Sequence, residues 1–387
     1  MKRFLVSMLM VIVVLTSVVG ATEAEKAVKT TTQPKIEVVF VLDTTGSMSG
    51  LIAAAKEKIW SIANTLAMTQ PAPEIKMGLV GYRDRGDDYV TKCFELTNDL
   101  DAVYAFLMGF SANGGGDGPE SVNQALHEAV TKMKWSSDTK TYKVIFLVGD
   151  YPPHMDYNDD IKHAESCRLA CKNGIVINTV QCGKCPDTEP FWRQIAKNAE
   201  GEFFRVEQSG SAIAASTPFD GEIAALSKEM DGTRLYYGTE RERSVQTDRV
   251  QKSEEFYEMA PASAVASRAS FNAKEAGTDN FTGGQELVSD IAKGKVALSE
   301  LKAEQMDEKL RAMSEKDRET YVADMAKKRD DLQQKIQKLS AQRQEYIQKE
   351  INQKNLKEKD SLDRQVYECI KTQAGKRDIK YVEGPVY

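Results

Sequence analysis

Asp43, Thr45 and Ser47 stand at alternate positions in Asp43-Thr44-Thr45-Gly46-Ser47, which puts one carboxylate and two hydroxyls within five residues. Alternate side chains in a tight loop can point to one side, and hard oxygen donors of this kind suit Mg²⁺ better than a soft metal. The same residue types also serve in ordinary turns and helix caps, so the stretch alone leaves both readings open. Two later stretches add acid. Asp117-Gly118-Pro119-Glu120 precedes an apolar-periodic run, which places its carboxylates at a helix N-terminus, where Asp117 and Glu120 could equally form a capping box. Asp150 follows the apolar run Tyr142 to Gly149.

These stretches need a scaffold that brings them together. Ile36 to Leu42 is nearly continuous, rich in β-branched residues and interrupted only by Glu37, which predicts a strand buried on both faces of a parallel sheet. Met48, Leu51, Ile52, Ala55, Ile59, Ile62 and Leu66 follow at helical spacing, so Asp43 to Ser47 is a strand-to-helix turn. The alternation continues through strands Ile75 to Tyr82 and Tyr89 to Leu96, the latter an antiparallel edge. A helix Asp99 to Met108 and another carrying Val122, Ala125, Leu126, Ala129, Val130 and Met133 lead to the strand Tyr142 to Gly149. Helices Asp159 to Lys172, Asp187 to Asn198 and Phe219 to Met230 then alternate with strands Ile175 to Val180 and Glu202 to Val206. This order predicts an α/β fold with a doubly wound, mostly parallel sheet. Ligands of such sheets bind beyond the carboxyl ends of the strands, which is where all three acidic stretches fall.

Asp-x-Thr-x-Ser after the first strand, an acidic second loop and Asp150 after a later strand together resemble the metal-ion-dependent adhesion site of von Willebrand factor A-type domains, over residues 36–238. The resemblance implies a Rossmann-like, non-enzymatic domain that holds Mg²⁺ (or Mn²⁺) through Asp43, Thr45, Ser47 and Asp150. The commonest second loop of the family has a Thr. Asp117-Gly118-Pro119-Glu120 is instead similar to the Asp-x-Pro-Glu of integrin β-subunit domains, where the Glu binds the metal. It therefore implies Glu120 as a ligand and Asp117 as the weaker candidate. A protein partner offering an acidic side chain is also implied, although an extra Glu beside the ion lowers its pull on such a group.

Other function classes are narrowed by composition. A net charge of −6 over 387 residues argues against nucleic acid as a partner. The Gly-rich stretch Ser111 to Gly116 lacks the Gly-Lys-Ser/Thr ending and preceding strand of a phosphate loop, which argues against a nucleotide. His127, His154 and His163 are the three histidines, and none has an evident Ser or Cys nucleophile beside it. His154 falls in a Pro-rich turn after Asp150, as a turn residue or a ligand contact. Arg85-Gly86-Asp87 matches an adhesion tripeptide, but so short a match carries little weight.

Met1-Lys2-Arg3, the apolar Phe4 to Val19 and then Val19-Gly20-Ala21 have the three parts of a secretory signal peptide. The apolar part is shorter than the ~20 residues of a membrane span, so a membrane is involved only if the segment stays uncleaved. The expected layout is a signal peptide 1–21, a linker 22–35, the A-type domain 36–238, an irregular linker 239–285 and a helical C-terminal region 286–387. The chain is then exported, periplasmic or secreted. The linker includes the Ala/Ser-rich Ala260 to Ser270. In the helical region Leu332, Ile336, Leu339 and Tyr346 follow a heptad that Arg343 interrupts, as in a partial coiled coil or a hairpin packed on the first domain. Asn280-Phe281-Thr282 is a glycosylation acceptor if the source glycosylates exported chains.

Six cysteines in an exported chain suggest disulfides. Cys182-Gly183-Lys184-Cys185 lies between a strand and a helix, the setting of a local disulfide or of a thiol redox motif. Beside metal-dependent protein binding stand two alternatives: a thiol-disulfide oxidoreductase acting through Cys182 and Cys185, and a structural scaffold acting through the helical region.

Overall fold

The computed structural model describes residues 33–116, 118–208, 216–353, 362–381 and 384. Residues 1–21, expected to be a signal peptide, most of the stretch 22–35 and Asp117 lie outside the described residues. Among the described residues, no helix is long and apolar enough to cross a membrane.

The strands are β1 (Lys35–Asp43), β2 (Glu74–Tyr82), β3 (Thr91–Thr97), β4 (Tyr142–Gly149), β5 (Ile175–Cys182) and β6 (Phe203–Val206). They pair in the order β3-β2-β1-β4-β5-β6. The edge strand β3 is antiparallel to β2 and the other pairs are parallel, which is the mostly parallel sheet expected from the alternation. The helices are α1 (Ser49–Leu66), α2 (Leu100–Met108), α3 (Val122–Thr131), α4 (His163–Lys172), α5 (Thr188–Asn198), α6 (Asp220–Asp231) and α7 (Glu240–Met259). They continue with α8 (Ala262–Asn272), α9 (Thr278–Thr282), α10 (Leu287–Ala292), α11 (Glu308–Arg311), α12 (Glu315–Gln353) and α13 (Leu362–Gly375).

Because β1 is central, its period-2 alternation feeds two cores. Ile36, Val38, Phe40 and Leu42 join Trp60 of α1 and Val103 of α2 on one face. Val39 and Val41 join Leu126 of α3, Cys167 of α4 and Trp192 of α5 on the other. The chain turns to one face after β1 and to the opposite face after β4, and these two strands are neighbours with Leu42 beside Val148. Their loops therefore leave the sheet side by side at the point where winding reverses, the place where such sheets bind ligands.

Several expectations need correction. The stretch 239–285 is largely helical, not irregular. Its helix α7 opens on a capping box between Thr239 and Glu242 and buries few of its residues, among them Gln246, Ser253 and Phe256, so its apolar stripe is too thin to read. Ala260 to Ser270 falls mostly in α8, where Ala264, Ala266 and Ala269 are buried. Small side chains there permit close helix approach, a pattern that in sequence looks like a linker. Of the two forms expected of the α12 heptad, packing on the first domain is the one observed, through α6, and not a separate coiled coil. Leu332 and Ile336 pack with Ile223 and Met230 of α6 and Ala266 and Ala269 of α8. Arg343, the residue that breaks the heptad, reaches Asp220 at 2.8 Å. All six cysteines are free thiols, so the expected disulfides are not formed. Asn280 is 2% exposed and its amide donates to Asn272, which leaves no accessible glycosylation site.

The first core does not stop at residue 238. Phe256 of α7, Phe271 of α8 and Val366, Ile370 and Ala374 of α13 are part of it. Each large side chain buried there contributes roughly 1.5–3 kcal/mol, so together they rival a typical net stability of about 5–15 kcal/mol. Truncation at 238 would therefore remove part of the core under α1.

Candidate metal centre

Asp43 ends β1 in register with Tyr82 and is fully buried. The turn after it folds back on its carboxylate. Thr45 donates to Asp43 Oδ1 from its backbone N at 2.9 Å and from Oγ1 at 2.6 Å. Thr45 Oγ1 in turn lies 3.3 Å from Ser47 Oγ, so the three donors of the first loop do face one another. Thr45 is buried and Ser47 is exposed, which leaves Ser47 reachable from solvent.

Glu120 is anchored by its backbone. Its N–H donates to Pro152 O at 2.9 Å and its carbonyl accepts from His154 N at 3.0 Å, which ties the second loop to the one after β4. Asp150 sits in that latter loop, buried. Gly149 precedes it for a steric reason. A Cβ there would overlap the Tyr82 hydroxyl and stand 3.2 Å from Asp43 Oδ2.

The structure thus brings Asp43, Thr45, Ser47, Glu120 and Asp150 to one corner, while Asp117 lies outside the described residues. Asp43 Oδ2, Glu120 Oε2 and Asp150 Oδ1 are buried without a hydrogen-bond partner. Burial, then the Asp150 charge, pushes the Asp43 carboxyl up to about 7. Burial, then the charges of Asp43, Asp84 and Asp150, pushes Glu120 up to about 9. Tyr82, enclosed beside the same carboxylates, is held well above the usual phenol range by burial and then by their charge. These groups repel one another in a place where water cannot screen them.

Counted by His, Cys, Asp and Glu alone, no group of three among the described residues closes into a metal cage. The corner is a mixed donor set, in which the hydroxyls of Thr45 and Ser47 complete what the carboxylates begin. Such a set fits a hard divalent cation, because each carboxylate keeps an unused oxygen and the additional donors are neutral oxygens.

Residues that sequence reasoning did not single out hold the loops in place. Arg83 donates from Nε to Thr44 O at 3.1 Å and from Nη2 to Ser111 O at 2.8 Å, joining the first loop to the Gly-rich one. Gln208, on the loop leaving β6, donates to Asp150 Oδ2 at 2.8 Å and to Ser47 O at 3.2 Å. Asp84 accepts from Ser121 Oγ at 2.9 Å and from the Tyr157 hydroxyl at 2.9 Å. No local signal marks any of these, since each partner lies tens of residues away.

His154 is a turn residue. Its Nε2 lies 3.2 Å from Asp84 and its Nδ1 lies 2.8 Å from Asp156, and its ring stacks on Tyr157 at 4.1 Å. Both charged members of Arg85-Gly86-Asp87 are engaged within the chain. Arg85 pairs with Asp159 and Asp160, and Asp87 accepts from Gly115 N at 3.0 Å. Cys182 is fully buried, and burial followed by the nearby Asp150 and Asp43 charges raises its thiol well above the usual value. A redox nucleophile needs exposure and a depressed thiol pKa, and Cys182 has neither.

Comparison with known proteins agrees with this geometry. The sequence profile of the von Willebrand factor A domain matches residues 37–208. A protein of Acanthamoeba polyphaga mimivirus named as an ariadne-like RING finger protein is 23% identical over 237 residues, which cover 55% of this chain and 23% of that one. An alpha-protein kinase of Dictyostelium discoideum is 27% identical over 121 residues, 31% of this chain and 19% of its own. The chain therefore spans about a quarter or less of the curated relatives it matches. Among solved structures, the proximal thread matrix protein 1 of the mussel byssus with a zinc-occupied MIDAS motif is 17% identical, covers 45% of this chain and 42% of its own, and superposes with a TM-score of 0.36. The SpRpn10 VWA domain is 14% identical over 45% of this chain and 89% of its own, with a TM-score of 0.35. Superpositions at that level carry no weight by themselves. The profile match, the strand order and the loop chemistry agree, and residues 37–208 of this chain form a von Willebrand factor A domain.

Proposed function

We propose that this chain is an exported, non-enzymatic binding protein that engages a protein partner through a Mg²⁺ (or Mn²⁺) site at the carboxyl edge of its A-type sheet. One observation carries the reading: Asp43, Glu120 and Asp150 are buried together, each with an oxygen that nothing satisfies. Among the described residues neither Asp43 nor Glu120 has an ion pair, and burial and the neighbouring carboxylates raise the pKa of both. In this reading Asp43, Glu120 and Asp150 supply charge, Thr45 and Ser47 supply neutral oxygens, and Asp117 is a further donor. When bound, the ion supplies concentrated positive charge that can accept one more oxygen from a partner's acidic side chain.

The chain's own residues set how strong that capture is. Three carboxylates more than balance a divalent ion, so the pull left for a partner carboxylate is modest and the surrounding protein surface must contribute to affinity. Export rests on the signal-like residues 1–21. The A-type fold, which serves as a protein-interaction module, supports the partner class.

Mn²⁺ titration of the full chain followed by electron paramagnetic resonance tests the reading. It predicts one saturable Mn²⁺ per chain, displaced by Mg²⁺ and lost in Asp43→Ala with the circular dichroism unchanged. Equal Mn²⁺ binding by Asp43→Ala would overturn it.

A further inference from the structure

Cys182 is buried while Cys185 of the same Cys182-Gly183-Lys184-Cys185 stretch is half-buried, and the glycine between them has a defined spatial task. Gly183 has φ +69°, and a Cβ on it would overlap Gln208 Oε1. Only a residue without a side chain leaves the Gln208 amide where it is. That amide reaches two of the loops that converge on the metal corner. Gln208 Nε2 lies 2.8 Å from Asp150 Oδ2, 3.2 Å from Ser47 O and 3.8 Å from Met48 Sδ.

We infer that Gln208 is a positioning residue that locks the loop after β1 to the loop after β4, and that Gly183 is present to make room for it. An NH₂ group has two hydrogens, and here two oxygen acceptors, one on each loop, take them. The amide occupies Asp150 Oδ2, and Oδ1 is the oxygen left without a partner. The donor is neutral. A Lys or Arg at this place would pair with Asp150 and remove the charge that calls for a cation. An amide orients the carboxylate and leaves that charge intact, as groups behind metal ligands commonly do.

The effect of this lock on metal affinity rests on the proposed metal site, so the test has a second readout that does not. Mg²⁺ calorimetry and metal-free hydrogen exchange are run on the full chain as wild type, Gln208→Ala, Gly183→Ala and Gln208→Lys. The inference expects Gln208→Ala to weaken Mg²⁺ binding by about tenfold and to speed exchange in both 46–50 and 149–152. Gly183→Ala, which displaces the amide without touching Asp150, should do the same, and Gln208→Lys should weaken binding more. Unchanged or tighter Mg²⁺ binding by Gln208→Ala overturns the inference, because a residue that merely covers the site would give that result. If the wild type binds no Mg²⁺, the metal reading fails, and the exchange data decide alone: faster exchange in both loops upholds the lock and unchanged exchange overturns it.

Discussion

Two groups of buried carboxylates in this protein are treated in opposite ways. In the helical layer each has a guanidinium. Arg268, fully buried, holds Asp101 through two bonds of 2.6 and 2.7 Å and lies 3.0 Å from Asp231. Arg329 of α12 holds Glu286 through two bonds of 2.9 and 2.8 Å, and Arg343 holds Asp220 at 2.8 Å. Despite burial, the charge of Arg268 keeps Asp101 below the usual carboxylate range, and hydrogen bonding from Arg329 keeps Glu286 there as well. At the carboxyl edge the same chain places Asp43, Glu120 and Asp150 together, and among the described residues none of the three has an ion pair: the nearby Arg83 bonds to backbone carbonyls and pairs with Asp88. The acids of the helical layer have guanidinium partners and these three do not, and a bound ion is the simplest remedy.

The comparison can be broken from either side. The largest effect belongs to the paired region: Arg268→Ala strands Asp101, while Asp231 keeps Arg234 at 3.4 Å, and should cost about 3–5 kcal/mol in urea unfolding. A loss near zero would mean that the clamps are ornamental. Next, Mg²⁺ at a hundredfold excess over its Kd should stabilise the wild type by about 2.7 kcal/mol, read as a rise in the urea midpoint. The same addition should leave Asp43→Ala where it was. Third, Asp43→Asn keeps the Oδ1 acceptor for Thr45 but removes the repelled charge. Without metal it should stabilise the chain at pH 8 by at least about 1.4 kcal/mol, the equivalent of one unit of a shift that runs from 3.8 to about 7. Destabilisation of the metal-free chain would show that the edge is not strained by charge.

The smallest effect concerns acid. Asp101 and Glu286 have depressed folded values, so their contribution is full above their unfolded values, 3.8 and 4.5, and is lost as pH falls through the folded ones. Stability should drop below about pH 4, and Asp101→Asn should flatten part of that slope. A wild-type curve flat down to pH 2 would contradict the pairing.

What the sequence revealed follows the same division. Asp43, Thr45, Ser47 and Asp150 were legible because each lies at the end of a strand whose apolar run announces it, and the turn chemistry is local. Glu120 was legible through its short motif. The supports were not. Arg268 meets Asp101 from 167 positions away, and Gln208 meets Asp150 from 58. No periodicity encodes such distances. The α8 stretch was missed because Ala and Ser signal flexibility when exposed and close packing when buried, and composition alone does not separate the two. Arg343 breaks a heptad in sequence and completes an ion pair in space.

The central claim is that the carboxyl edge is completed by a divalent cation. Titration calorimetry of Mg²⁺ into the full chain, wild type beside Asp43→Ala, addresses it most directly. The account predicts a single saturable site in the wild type and none in the variant. Heat of dilution alone from a folded wild type would contradict it.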